Sequence, residues 1–367
     1  MRTKELLLVT SEMPPQGGGI GIFVENLTRI LRTKGWDCWV VTWGREHKVD
    51  PEKHLVHQRF LPLGVVGDAI YSSQLDETRN ELGLEDALLN VHTPYPLPIK
   101  CDLATFHIVI RKLLAHGNFL GLKRLQYNLG LPILSRNERS LLRAPRVLAV
   151  SNSVVSDMKT EYGYSGAAHV VGNGVDASLF KPSEKWPTPR ILFVGRIDLN
   201  KGVLDFVQMA HLLRSRLPEA EFRIVGRGDA LPLVKRAVRK LRLEKFVEIL
   251  GFVSKQQLVR EYQQAWVYVS PTRFEGFATS ILEAMASGTL PVVSDIPSNR
   301  EMLRPHEALF SQSGTIEEYA KLVNWAVSNM DEANRIARNA RDHAVNEYSW
   351  EKVAHRYEAM LISPVPG

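Results

Sequence analysis

The sequence predicts an α/β chain folded as two doubly wound, Rossmann-like domains with parallel sheets, facing each other across a cleft. Three observations predict it. Continuous apolar runs of strand length alternate with helix-length amphipathic segments, the pattern of parallel sheets covered on both faces. That pattern runs twice, on either side of a stretch from Phe180 to Pro189 that contains Pro182, Pro187 and Pro189 and reads as a linker. The chain has 367 residues, enough for two cores.

In the first half, Leu6–Thr10 reads as a strand, Ile22–Thr33 as a helix and Trp39–Thr42 as a strand, with later strands at Leu103–Phe106 and Val147–Val150. In the second half, strands are expected at Arg190–Val194, Phe222–Val225, Val247–Leu250, Trp266–Ser270 and Leu290–Ser294. Helices fall between them at Val203–Leu213, Leu231–Leu241, Gln256–Gln263 and Thr279–Ala286. The chain is helical again from Ile316, and Ser349 is placed to cap a last helix that packs back on the first domain. The expected division is an acceptor-binding domain over 1–172, a nucleotide-binding domain over 173–347, and a C-terminal helix over 348–367. Open α/β sheets bind ligands beyond the carboxyl ends of their strands, so the active site is expected in the cleft.

Composition narrows the class. Hydrophobic content of 44% and charged content of 23% are ordinary for a globular protein. The two cysteines, Cys38 and Cys101, form no CxxC pattern, which argues against a disulfide framework or structural zinc and fits a reducing compartment. The first apolar run is too short for a signal peptide, and no run approaches a membrane span. A cytoplasmic protein is expected.

The net charge is +6, and its placement says more than its size. Residues 107–146 hold eight cations (Arg111, Lys112, Lys123, Arg124, Arg136, Arg139, Arg143, Arg146) against one acid, Glu138, a net of +7 that leaves −1 for the rest. Exposed-looking apolar residues accompany them: Ile108, Val109, Ile110, Leu113, Leu114, Phe119, Leu120, Leu122 and Leu125. A basic, apolar segment suits an anionic membrane surface or an anionic acceptor, while an ordinary solvated helix face accounts for it equally well. No nucleic-acid-binding motif accompanies the charge, so nucleic acid is not an expected partner.

The most informative stretch is Arg273-Phe-Glu-Gly-Phe-Ala-Thr-Ser-Ile-Leu-Glu283. It follows an apolar strand and enters a helix. Glu275 then sits in the strand-to-helix loop and Glu283 about two turns into the helix. Between them, the backbone N–H groups of Gly276, Phe277 and Ala278 open the helix, where a phosphate is attracted. Two carboxylates bracketing a phosphate site suit a ligand with hydroxyls on both sides of a diphosphate, as in a nucleotide sugar.

Other residues fall in the same pattern. Arg196 ends the strand Ile191-Leu192-Phe193-Val194-Gly195, and Lys201 stands five residues later at a helix entry, so both cations lie where a leaving diphosphate could be neutralised. Gly17-Gly18-Gly19-Ile20-Gly21 follows the first strand and lets backbone approach a ligand closely, although a flexible loop reads the same way. Its spacing is not GxGxxG, and no acid ends the second strand to hold a ribose, which discriminates against a nicotinamide-dependent oxidoreductase. His107 follows a strand and could face the cleft or be structural. Phe252 and Val253 follow another, where a nucleotide base could stack or where ordinary packing would serve.

Taken together these stretches resemble retaining nucleotide-sugar glycosyltransferases of the GT-B fold, the large family of bacterial and archaeal mannosyl-, glucosyl- and N-acetylglucosaminyltransferases. The resemblance rests on Val194-Gly195-Arg196 with Lys201-Gly202, on Asn173-Gly174-Val175-Asp176, and on Glu275 and Glu283 as an E-x7-E pair followed by Ala284-Met285-Ala286-Ser287-Gly288. Gly18-Gly19-Ile20 matches the family's glycine loop. The resemblance implies that Arg196 and Lys201 hold the donor diphosphate, Glu275 contacts donor-sugar hydroxyls and Glu283 holds the ribose. Gly276, Phe277 and Ala278 would meet phosphate or sugar through their backbone, Gly19 would line the reaction centre, and His107 would sit at the donor sugar's far edge. Ser298-Asn299-Arg300-Glu301 departs from the family's commoner Gly-Gly before a late glutamate. The implied reaction is hexosyl transfer with retention from a UDP- or GDP-sugar, without a metal or other cofactor beyond the nucleotide sugar itself. The acceptor would be a sugar or a lipid-linked molecule, with the enzyme at the inner face of a membrane. A sugar-nucleotide epimerase or phosphorylase is the other reading of a two-domain sugar-nucleotide protein.

Overall fold

A computed structural model describes residues 4–11, 13, 18–44, 47–59, 74–94, 99–116, 122–312 and 315–363. Gly17, Phe119 and Leu120 of the sequence reading fall outside these, as do the side chains of Leu122, Lys123, Arg124 and Leu125. The chain divides into two compact units: one from residues up to Leu113, Tyr127–Asn173 and Trp350 onward, the other from Leu114–Gln126 and Gly174–Ser349.

The first unit runs β1 (Glu5–Thr10), α1 (Gly19–Thr33), β2 (Asp37–Gly44), β3 (Lys48–Asp50), β4 (Leu55–Arg59), α2 (residues 74–81), β5 (Leu88–Thr93) and β6 (Leu103–Phe106). It continues with α3 (Ile110–His116) and α4 (Leu122–Leu141), of which Leu114–Gln126 group with the second unit, then β7 (Arg146–Ala149), α5 (Asn152–Tyr162) and β8 (Ala168–Val170). The strands form an eight-stranded sheet ordered β3-β4-β2-β1-β5-β6-β7-β8, parallel throughout except for the short edge strand β3. Local chemistry bounds the elements. In α5, the Ser151 hydroxyl accepts from the Val154 N–H at 3.1 Å, and Gly163 closes the helix in the left-handed region at φ 66°.

A last helix, α13 (Trp350–Ile362), packs on α1 in this unit. Trp350 meets Phe23 edge-on at 5.7 Å between ring centres. Glu358 accepts from Lys34 at 2.8 Å and from the Trp36 indole at 2.9 Å, and the Tyr357 hydroxyl is hydrogen-bonded to the buried Asn90.

The second unit runs β9 (Arg190–Val194), a 3-10 turn (Leu199–Lys201), α6 (Val203–Leu213), β10 (Glu221–Val225), α7 (Leu231–Lys240), β11 (Val247–Gly251) and α8 (Lys255–Gln264). Then follow β12 (Val267–Ser270), α9 (Thr279–Ala286), β13 (Leu290–Ser294), α10 (Pro297–Met302), β14 (Leu309–Ser311), α11 (Ile316–Ser328) and α12 (Met330–Glu347). Its six-stranded parallel sheet is ordered β11-β10-β9-β12-β13-β14, a doubly wound order whose direction reverses between β9 and β12. Alternate residues of one strand serve opposite layers. Ile191 and Phe193 pack with α6, α7 and α11, while Leu192 packs with α8 and α9. The segment before β9 is pinned to this sheet: the Lys185 ammonium donates to Ala265 O at 2.7 Å and Thr289 Oγ1 at 3.0 Å, and its burial lowers its pKa to about 7.

Part of the basic segment departs from the sequence reading. Val109 and Ile110 are fully buried rather than exposed, because α3 turns its first residues into the core beside β6. Ile108, Leu113 and Leu114 are half-buried. Arg146 is buried and donates to Ser363 O. Arg111 is exposed on α3; Ile133, Arg136 and Arg139 lie on the surface of α4 and Arg143 just past its end, these four spaced three or four residues apart.

Candidate active site

The reversal between β9 and β12 puts two loops side by side at the carboxyl ends of the strands. The first leaves β9 through Gly195 and Arg196. The second leaves β12 and reaches α9 through Glu275 to Ala278. Lys201, at the end of the 3-10 turn, forms an ion pair with Glu275 across this junction, both side chains largely covered. The turn itself is set by Asp198, whose carboxylate accepts from the Lys201 N–H at 3.1 Å. Gly202 then continues into α6 at φ 70°; a Cβ there would meet Pro271 O at 2.1 Å, so only glycine lets the two loops approach this closely. The second loop is tied back by the Arg273 N–H to Asn200 O at 3.0 Å and by the Arg273 guanidinium to Asp205 at 3.0 Å.

Arg196 is mostly exposed, with Asp198 at 3.4 Å as its acidic neighbour. It follows β9 by two residues rather than ending it, because the strand stops at Val194. Its loop is held through the main chain: Gly195 N–H to Val225 O at 3.1 Å and Ile197 N–H to Arg227 O at 2.9 Å.

The start of α9 carries no side-chain cap; Ala278 is the extended N-cap residue, and its carbonyl accepts from the Ile281 N–H at 3.1 Å. Phe277 packs toward the core and meets Tyr348 edge-on at 5.7 Å. Glu283 is the fifth residue of α9. It therefore lies little more than one turn in, not two, because the helix begins at Thr279. Its carboxylate is 3.5 Å from the Lys255 ammonium, which lies over the Phe180 ring at 4.5 Å. Burial raises the Glu283 pKa, and Lys255 opposes that shift.

Phe252 and Val253 follow β11. Phe252 is 66% exposed, with the Arg227 guanidinium 4.7 Å from its ring centre, so an aromatic face lies open at the ligand end of the sheet. Val253 packs partly into the core. The departure at Ser298–Glu301 is accommodated by α10: Asn299 donates to Ser294 O at 2.9 Å, and Arg300 forms a two-pronged pair with Asp295 at 2.6 and 2.7 Å.

A cavity of about 600 Å³ opens at the opposite, amino ends of β9, β10 and β11. Its guanidinium groups are already paired, Arg190 with Glu221 at 2.7 Å and Arg223 with Glu261 at 2.7 Å, so it competes poorly for an anionic ligand.

Gly18, Gly19 and His107 belong to the first unit. Gly18 precedes α1 without a side-chain cap, and a Cβ on Gly19 would meet nothing within 4 Å among the described residues. His107 is nearly buried just beyond β6. Its Nε2 lies 3.0 Å from Nδ1 of His92 on β5, and burial lowers its pKa to about 3. The sequence reading missed His92, because Leu88–Thr93 carries Asn90 and His92 in an otherwise apolar run. The signal available was its position just before a proline-rich stretch of sequence.

Among the described residues no three metal-ligating side chains cluster, and no helix is long and apolar enough to cross a membrane.

Two family models match end to end. One, described as Glycosyltransferase Family 4, covers residues 17–179; the other, Glycosyl transferases group 1, covers 175–343. The chain is 25% identical over 387 aligned positions to MMP alpha-(1->4)-mannosyltransferase of Mycolicibacterium hassiacum, covering 92% of each. It is 29% identical over 229 positions to GDP-mannose:cellobiosyl-diphosphopolyprenol alpha-mannosyltransferase of Xanthomonas oryzae pv. oryzae, covering 59% of this chain and 58% of that protein. Its fold matches sucrose-phosphate synthase of Thermosynechococcus elongatus with a TM-score of 0.80 at 19% identity, over 97% and 98% of the two chains. With both sheets doubly wound and both halves matched, the chain belongs to the GT-B nucleotide-sugar glycosyltransferases and is a hexosyltransferase.

Proposed function

We propose that this enzyme transfers a hexose with retention of anomeric configuration, holding the nucleotide end of its donor on the second unit. The Lys201–Glu275 pair at the β9–β12 junction carries this reading. Donor binding redirects Lys201 to the diphosphate and releases Glu275 to accept hydrogen bonds from sugar hydroxyls. Arg196 and the uncapped start of α9, with the backbone of Gly276, Phe277 and Ala278, meet the same phosphates. Glu283 accepts from the ribose hydroxyls, and Phe252 and Val253 lie at the base. In the first unit, Gly18, Gly19 and His107 are assigned to the reacting sugar.

The bond from the anomeric carbon to the diphosphate breaks as the acceptor oxygen attacks the same face. The acceptor proton passes to the departing phosphate oxygen, and the side-chain cations balance the charge without a metal or further cofactor.

The acceptor is proposed to be a lipid-linked molecule, met by the first unit at the anionic inner face of a membrane. The exposed basic face of α4 supports this, as does the relative whose name specifies a diphosphopolyprenol acceptor.

A thermal-shift screen against UDP, GDP, ADP and their sugar conjugates tests the donor site, with Glu283→Ala as control. Stabilisation by one nucleotide series, lost in the variant, supports the assignment and fixes the base. Equal stabilisation of the variant would remove Glu283 from the ribose.

A further inference from the structure

His92 and His107 sit on neighbouring parallel strands, His92 opposite Thr105 and His107 just past the end of β6. Their rings are 5.3 Å apart between centres, and both rest on Phe23. One hydrogen bond joins them, Nδ1 of His92 to Nε2 of His107. His92 is completely buried, and its Nε2 has no partner among the described residues. His107 keeps 8% exposure, and its Nδ1 makes no hydrogen bond to any described residue. Burial holds both rings neutral, so each carries one proton.

Only two arrangements satisfy one proton per ring and one shared hydrogen bond. In the first, His92 Nδ1–H donates to His107 Nε2. His107 then carries its own proton on Nδ1, and His92 Nε2 is a bare lone pair. In the second, His107 Nε2–H donates to His92 Nδ1. His92 must then bury an N–H on Nε2 with no acceptor, and His107 presents a lone pair on Nδ1. A buried N–H with no acceptor is the rarer defect in folded proteins, so the first arrangement is favoured.

We propose that His92 is a positioning residue that fixes the tautomer of His107, keeping its proton on Nδ1 so that the ring offers an N–H donor to an oxygen of the bound donor sugar. The tautomer part stands on the ring geometry alone; the sugar contact rests on the role proposed for His107 above. Through this lock, a residue with no reach to the ligand decides whether the ligand meets a donor or an acceptor.

Long-range proton–nitrogen NMR on the 15N-labelled full chain reads the tautomer directly. The expected spectrum shows His107 protonated on Nδ1 in the wild type and redistributed between nitrogens in His92→Leu. His107 protonated on Nε2 in the wild type, or an unchanged tautomer in His92→Leu, overturns the proposal. In kinetics, His92→Leu should lower kcat/KM about tenfold, the worth of one net hydrogen bond. His92→Asn, whose amide nitrogen falls near the place of Nδ1, should keep most of it. If His92→Leu does not fold, the wild-type spectrum and the Asn variant decide: an Asn variant with His107 protonated on Nε2 but wild-type kinetics counts against it. A His107→Phe enzyme with unchanged kcat/KM would remove His107 from the sugar, while the tautomer result would stand by itself.

Discussion

The ammonium of Lys201 and the carboxylate of Glu275 are paired across the point where the second sheet reverses direction, one from the loop after β9 and the other from the loop after β12. Each side chain is mostly covered, at 22% and 15% exposure, so removing one leaves the other charged and poorly hydrated. If the pair acts as a unit on the donor, its two members are not independent. Lys201→Ala and Glu275→Ala should each lower kcat/KM by about 10²–10³-fold. The double variant should be little worse than the poorer single one. A double-mutant cycle in steady-state kinetics checks this; losses that multiply would mean the two residues act separately.

Gly226 stands at φ 142°, and a Cβ there would lie 1.8 Å from Gly195 O. Gly226→Ala must therefore push the loop carrying Arg196 away from β10. The expected cost is more than about 1 kcal/mol in stability, with donor affinity falling further than the melting temperature alone explains. Thermal melts alongside donor titrations measure both. A variant that melts and binds like the wild type would show that the loop relaxes without consequence.

Glu138 is buried on α4, accepting from the Ile110 N–H at 2.9 Å and from the Tyr162 hydroxyl at 2.6 Å. Burial pushes its pKa up to about 7, against those two hydrogen bonds. The folded state thus holds the proton more tightly than the unfolded chain. The stability it confers is present below about 4.5 and is lost as pH rises through about 7. Between about pH 5 and about pH 8 the wild type should lose up to a few kcal/mol more stability than Glu138→Gln, which keeps the acceptor without the charge. Chemical denaturation of both proteins across that range gives the comparison, and parallel curves would dismiss Glu138 as the titrating group.

If the exposed cations of α4 and the turn after it meet an anionic surface, the charge reversals Arg136→Glu and Arg143→Glu together should abolish sedimentation with phosphatidylglycerol-rich vesicles. They should leave binding to free nucleotide unchanged. Wild-type binding should also weaken with added salt. Equal binding of wild type and variant to neutral and anionic vesicles would sink the electrostatic account.

The second unit was legible in the sequence from β9 to β13, while α10 and the three-residue β14 left no pattern. Arg190–Val194, Val203–Leu213, Thr279–Ala286 and Leu290–Ser294 have the bounds the apolar pattern assigns. These elements are covered on both faces, and continuous burial writes a continuous apolar run. The first unit was less legible. β5 was missed because its buried face is partly polar, with Asn90 held by Thr105 and Tyr357, and His92 by His107. β3 and β8, three residues each, are too short to leave a pattern. Ionic neighbours were hidden for a different reason. Lys201 and Glu275 were each visible as candidates, but their pairing joins positions 74 apart in sequence and follows only from the strand order. Val109 and Ile110 looked exposed because the sequence places them among cations; their burial depends on where α3 lands.

The loops at the ligand end of the second sheet are fastened to one another by main chain: Gly195 to Val225, Ile197 to Arg227, and Gly226 N–H to Gly251 O at 2.8 Å. Side chains at 196 and 252 stand on that lattice. Such an arrangement separates what must stay fixed from what can drift. If Arg196 and Phe252 meet the donor as proposed, descendants of this chain could exchange them while the spacing of the loops is inherited unchanged, and a designer seeking a different donor could begin with those two positions and leave the glycines alone.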